Sequence, residues 1–130
     1  MVESTVKPAR VLAIDDSPKF LSSLHSFFET TPEFCLVATA QSGNEGLELA
    51  RKLHPDLVLM DLQMSGMNGL EATAEIRRRF PEMAIVIITA HEMPGLRQIC
   101  HMNGACDVVQ KSRLHLDLPD VLAKRLPNVG

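Results

Sequence analysis

"VLAIDDSPKF", residues 11–20, is the stretch on which the reading of the whole chain turns. An apolar run ends on two adjacent acids, Asp15 and Asp16, and Ser17-Pro18 follows immediately. A short, partly β-branched run bounded by such a break reads as a buried strand. A serine and then a proline read as a helix start, a capping hydroxyl followed by proline at the first helical position. The stretch is therefore a strand, a charged edge and a helix in ten residues. Two like charges side by side repel unless a cation or a hydrogen-bond donor lies beside them. Taken alone, the pair reads as a solvated turn with a helix cap, and the rest of the chain has to decide.

Outward from this point the same unit recurs. The first strand extends back to "ARVLAID", and the first helix puts Phe20, Leu21, Leu24, Phe27 and Phe28 on one face before Thr30-Thr31-Pro32 stops it. "FCLVATA" (34–40) is a second strand, and 43–54 a second helix with Leu47, Ala50 and Leu53 inward. "DLVLMD" (56–61) is a third strand, again ending on an acid, Asp61. A loop follows, with Gly66 and Gly69 permitting tight backbone. A third helix spans about 69–80, burying Ala72, Ile76 and Phe80, and Pro81 closes it. "AIVIITA" (84–90) is the strongest strand, with Thr89 near its end. A weak helix over about 95–103 ends at Gly104, and "CDVVQK" (106–111) is a fifth strand ending on Lys111. The last helix is expected to begin at Pro119 and to turn Leu118, Val121 and Leu122 inward.

Five β–α units whose strands are apolar on both faces imply a parallel sheet covered by helices on both sides, with right-handed crossovers. In such a sheet the carboxyl ends of the strands gather at one edge, with a crevice where the strand order reverses. Asp15, Asp16, Asp61, Thr89 and Lys111 all belong to that edge and come from four strands.

Composition narrows the partners. The chain has 130 residues, of which 45% are apolar and 22% charged, the mixture of one compact domain. A net charge of -3 gives no electrostatic footprint for nucleic acid. The one basic cluster, Arg77-Arg78-Arg79, falls at a helix end, where cations favour the dipole and point into water. Three cysteines without CxxC spacing (Cys35, Cys100 and Cys106) suit a reduced compartment rather than a disulfide framework. Cys100, His101 and Cys106 lack the fourth ligand and the spacing of a zinc site. No apolar run reaches membrane-spanning length and no signal peptide opens the chain, so a cytoplasmic location is expected.

Three carboxylates in one crevice call for compensation. A hard divalent cation such as Mg²⁺ is their natural partner. A lysine adds a point charge suited to phosphate, and a threonine hydroxyl adds a donor. Together these groups describe a site that accepts a phosphoryl group on a carboxylate, with the metal and the lysine neutralising the phosphoryl oxygens.

"AIDDS" (13–17), "LMDLQMSGMNG" (59–69), "IITA" (87–90) and "VVQKS" (108–112) jointly make the chain resemble a two-component response-regulator receiver domain over about residues 9–126. The resemblance implies a flavodoxin-like α/β fold, five helices around a five-stranded parallel sheet in the order 2-1-3-4-5. It implies residues 1–8 as an N-terminal tail and 127–130 as a C-terminal tail or the start of a linker. By it Asp61 is the phosphoacceptor, and Asp16, Asp61 and the carbonyl of Gln63 ligate Mg²⁺, with Asp15 supporting the metal. Thr89 and Lys111 contact the phosphoryl oxygens, Ala90 leaves the entry open, and Gln63 and His91 flank the path of the attacking water. It also implies a sensor histidine kinase as phosphate source, and a partner or homodimer surface formed by helix 4, strand 5 and helix 5. DNA would be met only through an output domain that these residues do not include, and no enzymatic turnover is expected beyond self-catalysed phosphoryl transfer and slow dephosphorylation.

Three positions depart from the family pattern. Ser65 and Ser112 stand where proline is common, the second removing a cis peptide, and Val108 replaces the aromatic residue three before the lysine. The chain has no tyrosine, so the ring-rotation part of the family's switch is missing. The Lys111-Ser112 pair and the "LPDVLAKRL" helix favour the receiver of a helix-turn-helix regulator over a stand-alone receiver. A haloacid-dehalogenase-like phosphohydrolase would have a second Asp where Gln63 stands, together with a cap domain. A flavin- or nucleotide-binding protein would carry a glycine- or hydroxyl-rich loop where Asp15 and Asp16 stand.

Overall fold

In a computed structural model, which describes residues 7–64 and 68–125, strand and helix alternate from Ala9 to Arg125. The strands are β1 (Ala9–Ile14), β2 (Phe34–Ala40), β3 (Leu57–Asp61), β4 (Ala84–Thr89) and β5 (Asp107–Gln110). The helices are α1 (Pro18–Glu29), α2 (Gly43–Leu53), α3 (Gly69–Arg79), α4 (Leu96–Met102) and α5 (Leu114–Arg125). All strand pairs are parallel, in the order β2-β1-β3-β4-β5. The flavodoxin-like sheet expected from the alternation is thus the one observed.

The period-2 geometry of a strand sends neighbouring side chains to opposite faces, and here each face meets its own helices. Leu12, Ile14, Val58, Met60, Ile85, Ile87 and Val108 pack with Leu47 and Ala50 of α2, Ile76 of α3 and Leu96 and Cys100 of α4. The alternate residues, Val11, Ala13, Leu57, Leu59, Val86, Ile88 and Val109, pack with Leu21, Leu24 and Phe28 of α1 and Leu114 and Leu118 of α5. Two-sided burial is why these strands read as continuous apolar runs.

The helix starts follow their caps. Ser17 accepts from the Phe20 N–H, Ser42 from Glu45, and Asn68 forms a reciprocal capping box with Glu71. The end of α2 departs from regular backbone at His54, which takes the left-handed conformation and stacks edge-on to Phe80.

Two expectations are corrected. The last helix begins at Leu114, directly after a 3-10 turn at Lys111–Arg113, and Pro119 lies inside it. Leu114 and Leu118, one turn apart, bury against the sheet, and that burial outweighs the preference of proline for a first helical position. Leu118 is inward as expected and Val121 is half-buried, while the side chain of Leu122 lies outside the described residues. The basic cluster also divides. Arg78 and Arg79 reach Glu75 on the surface, but Arg77 donates to the carbonyls of Gly104 and Pro81. It ties the end of α3 to the turn before β5. Ser65 and Gly66, read as part of a tight loop, lie outside the described residues.

Candidate functional site

The strand order reverses between β1 and β3: the chain leaves β1 for β2 on one side and returns to β3 on the other. Asp15 and Asp16 follow the last residue of β1, and Asp61 is the last residue of β3. One oxygen from each of the three carboxylates lies within 4.8 Å of the others, the only such group of three or more potential ligands among the described residues. Lys111, directly after β5, leans into the same space. Its Nζ is 2.7 Å from Asp15 Oδ2 and 3.5 Å from Asp61 Oδ1.

Local sequence explains why the acids point inward. The Ser17 N–H, exposed by the turn into α1, donates to Asp15 Oδ1 at 2.8 Å. Asp15 is completely buried, and its Oδ2 touches the lysine ammonium without the alignment of a hydrogen bond. That oxygen is held by charge alone. Asp16 is exposed at the mouth of the crevice. Asp61 is fixed from behind by Gly69, whose N–H donates to the Leu62 carbonyl. A Cβ at position 69 would fall 2.2 Å from the Asp61 carbonyl oxygen, so only glycine lets α3 start this close to β3.

Electrostatics set these groups apart from ordinary surface acids. Burial, reinforced by the charge of Asp15, raises the pKa of Asp61 from 3.8 to about 6, against the opposing pull of Lys111 and a backbone hydrogen bond at Gln63. The carboxylates carry more negative charge than one lysine neutralises. A hard divalent cation fits this donor set: oxygen ligands only, two of the three carboxylates buried, one buried oxygen lacking a hydrogen bond.

The fourth strand contributes differently. Thr89 ends β4 and is buried, but its hydroxyl donates to the His91 carbonyl at 3.1 Å. It is engaged with its own loop. Ala90, His91 and Gln63 are exposed around the crevice. Val108 is buried in the layer that includes Leu96 and Cys100 of α4, a core position rather than a surface ring site. The peptide bonds include no cis isomer among the described residues.

Some of the neighbourhood carries no signal in the sequence. Lys111 Nζ also sits 4.5 Å from the centroid of the Phe20 ring. Arg97 of α4 bridges Glu92 in the loop after β4 and Asp107 at the start of β5. Both contacts join residues whose pairing is set by the fold, and periodicity alone assigns Phe20 to the core. Cys35, Cys100 and Cys106 form no disulfide with one another. No helix of the described residues is long and apolar enough to cross a membrane.

Comparison with known proteins agrees with this geometry. The family model for the response regulator receiver domain matches residues 11–123. The transcriptional regulatory protein LiaR of Bacillus subtilis (strain 168) is 42% identical over 81 residues, 62% of this chain and 38% of that protein. The nitrate/nitrite response regulator protein NarL of Escherichia coli (strain K12) is 38% identical over 91 residues, 68% of this chain and 42% of its own. The chain thus spans about two-fifths of the length of these curated relatives. Among solved structures, a two-component response regulator of the LuxR family from Aurantimonas sp. SI85-9A1 superposes with a TM-score of 0.82 at 30% identity, over 91% of this chain and 87% of that one.

Proposed function

The chain belongs to the response regulator receiver domain family, and from that premise we propose that Asp61 is its phosphoacceptor. The observation that carries the reading is the convergence of Asp15, Asp16, Asp61 and Lys111 at the point where the strand order reverses. In the transfer, an Asp61 carboxylate oxygen attacks phosphorus in line. The bond from phosphorus to the donor's leaving atom breaks, and that atom keeps the electron pair. Lys111 faces the transferred group from beside Asp61, and its charge offsets that of the phosphoryl oxygens. Asp15, Asp16, Asp61 and the Gln63 carbonyl would hold Mg²⁺, which supplies further neutralisation of the phosphoryl oxygens when bound. Thr89 exchanges its bond to the His91 carbonyl for one to a phosphoryl oxygen. Ala90 keeps the entry open, and Gln63 and His91 flank the route of the water that later hydrolyses the acyl phosphate.

The acting unit is residues 9–126, with 1–8 and 127–130 as flanking tail or linker. A sensor histidine kinase supplies the phosphoryl group, and the output is control of transcription through a further domain, as the name of the LiaR relative suggests. The domain turns over nothing except its own phosphorylation and slow dephosphorylation. The surface for a partner or a second copy is α4, β5 and α5, where Ile99, Met102 and Leu116 are exposed.

Intact mass after treatment with acetyl phosphate and Mg²⁺ tests the assignment. Wild type gains one phosphoryl group, Asp61→Asn gains none, and variants at Gln63 or His91 gain it but lose it at altered rates. An Asp61→Asn protein that gained the group as fast as wild type would overturn the reading.

A further inference from the structure

Lys111 stands on a flexible four-carbon stem, and ordering such a side chain costs rotamer freedom. Its ammonium is nevertheless held to one place, between Asp15, Asp61 and the face of Phe20. The Phe20 ring is itself well anchored. It is half-buried against the layer of α1, α5 and the sheet, and its backbone N–H is the one that caps α1 on Ser17. A distance of 4.5 Å from Nζ to the ring centroid is inside the roughly 6 Å reach of a cation–π attraction.

A ring offers something that a carboxylate does not. It attracts the ammonium without drawing a metal and without repelling a phosphate. The two carboxylates beside Lys111 are also the groups suited to a divalent cation, so their hold on the lysine is shared. The hold of the ring is not. We propose that Phe20 is a positioning residue for phosphoryl transfer: its ring face keeps the Lys111 ammonium beside Asp61, so that the incoming phosphoryl group meets a cation already in place. The inference rests on the reading of Asp61 as phosphoacceptor. It also gives the segment 15–20 a double role, since one strand end, one cap and one helical turn supply two carboxylates and the ring that steadies their counter-charge.

A series at position 20 separates positioning from packing. Phenylalanines with one, two and three ring fluorines keep the shape of the side chain while draining negative potential from its face, and Phe20→Leu removes the ring. Acyl-phosphate formation is followed by intact mass at saturating Mg²⁺ over a range of acetyl phosphate concentrations, with the melting temperature measured for each protein. The limiting rate is expected to fall with each fluorine, to about fivefold below wild type for the trifluoro ring, at an unchanged melting temperature and half-saturating donor concentration. Phe20→Leu is expected to fall at least as far. A fluorinated series that reacts as fast as wild type overturns the proposal and leaves Phe20 a packing residue, whether or not Phe20→Leu folds. A wild type that forms no acyl phosphate, or an Asp61→Asn protein that forms it equally, fails on the phosphoacceptor instead and takes this inference with it.

Discussion

Two parts of the same strand edge are built to opposite rules. Where β1 and β3 end, two of the three clustered carboxylates are buried and braced: Asp15 is fully enclosed, Asp61 is 5% exposed, and a serine N–H and a glycine contact hold them. Where β4 ends, α4 is only seven residues long and starts on Gly95 in the left-handed conformation with no side-chain cap. Met93, Ile99 and Met102 are 61%, 48% and 77% exposed there. Besides Leu96 and Cys100, which reach the core, α4 is held by the Arg97 fork to Glu92 and Asp107. Exposed ion pairs contribute about 0.2–1 kcal/mol each, so the second region moves at low cost and the first does not. Rigidity lies where atoms must be positioned, and give lies where a signal must leave.

The most severe test of the rigid side is Gly69→Ala. The new methyl would meet the Asp61 carbonyl oxygen at 2.2 Å and the Leu62 Cα at 2.8 Å, and backbone yields little. Overpacking of this kind costs about 3 kcal/mol at the upper end of the usual range, measured by urea unfolding. Gly95→Ala is the control on the yielding side, where the new Cβ meets nothing within 4 Å and only the backbone conformation resists, at about 1–2 kcal/mol. Equal losses at the two glycines would erase the contrast.

The next effect has the opposite sign. Because the pKa of Asp61 rises from 3.8 to about 6 on folding, the protonated form is the one the fold favours. The stability this contributes is fully present below pH 3.8 and is lost as pH rises through 6. Above that window the ionised carboxylate is a burden that Asn lacks. At about 1.4 kcal/mol per pKa unit, the rise from 3.8 to about 6 means that Asp61→Asn should be about 3 kcal/mol more stable than wild type at pH 7.5 in chelator. The difference should vanish at pH 3.5, and Mg²⁺ should raise the melting temperature of wild type. A difference that did not change with pH would mean that Asp61 is not strained by its surroundings.

Smaller again is the loss of one of the three clustered carboxylates. Asp16→Ala should weaken Mg²⁺ binding at least tenfold by calorimetric titration, about 1.4 kcal/mol, because the carboxylate at the mouth of the crevice is one of three. Arg97→Met, on the other side of the comparison, should leave the affinity unchanged.

The rigid region was also the legible one, and for the same reason. Strand-end acids, the lysine after β5 and the serine cap are set by neighbours one to three residues away, or by the edge that every parallel strand shares. The α5 start was misread because a local rule about Pro119 competes with burial of Leu114 and Leu118, and only the packed sheet decides between them. Arg77 on the Gly104 carbonyl and Lys111 on the Phe20 ring join residues 27 and 91 positions apart, and no spacing announces them. Thr89 was placed correctly on its strand, yet the direction of its hydroxyl, toward His91, follows from the loop that the weakest helix leaves behind.

That hydroxyl sets the last and smallest prediction, on the mobile side. Binding of beryllofluoride at Asp61 should draw Thr89 toward the new acceptor oxygens and release the His91 carbonyl it now holds at 3.1 Å. In relatives with a ring at position 108, inward rotation of that ring would accompany the shift. Val108 is buried, short and stiff at χ1, so no such rotation is available. The displacement has to pass through the backbone of 91–95 into α4, and Arg97, bonded to Glu92 in that loop and to Asp107 on β5, is the strut along its way. Amide exchange should therefore change mainly in residues 89–104 when Mg²⁺ and beryllofluoride are added. Arg97→Met should speed exchange in the same segment two- to threefold without any ligand, matching about 0.5 kcal/mol of exposed ion pairing. A response confined to the loop after Asp61, or an Arg97→Met protein with unchanged exchange, would show α4 to be as fixed as the edge beside it.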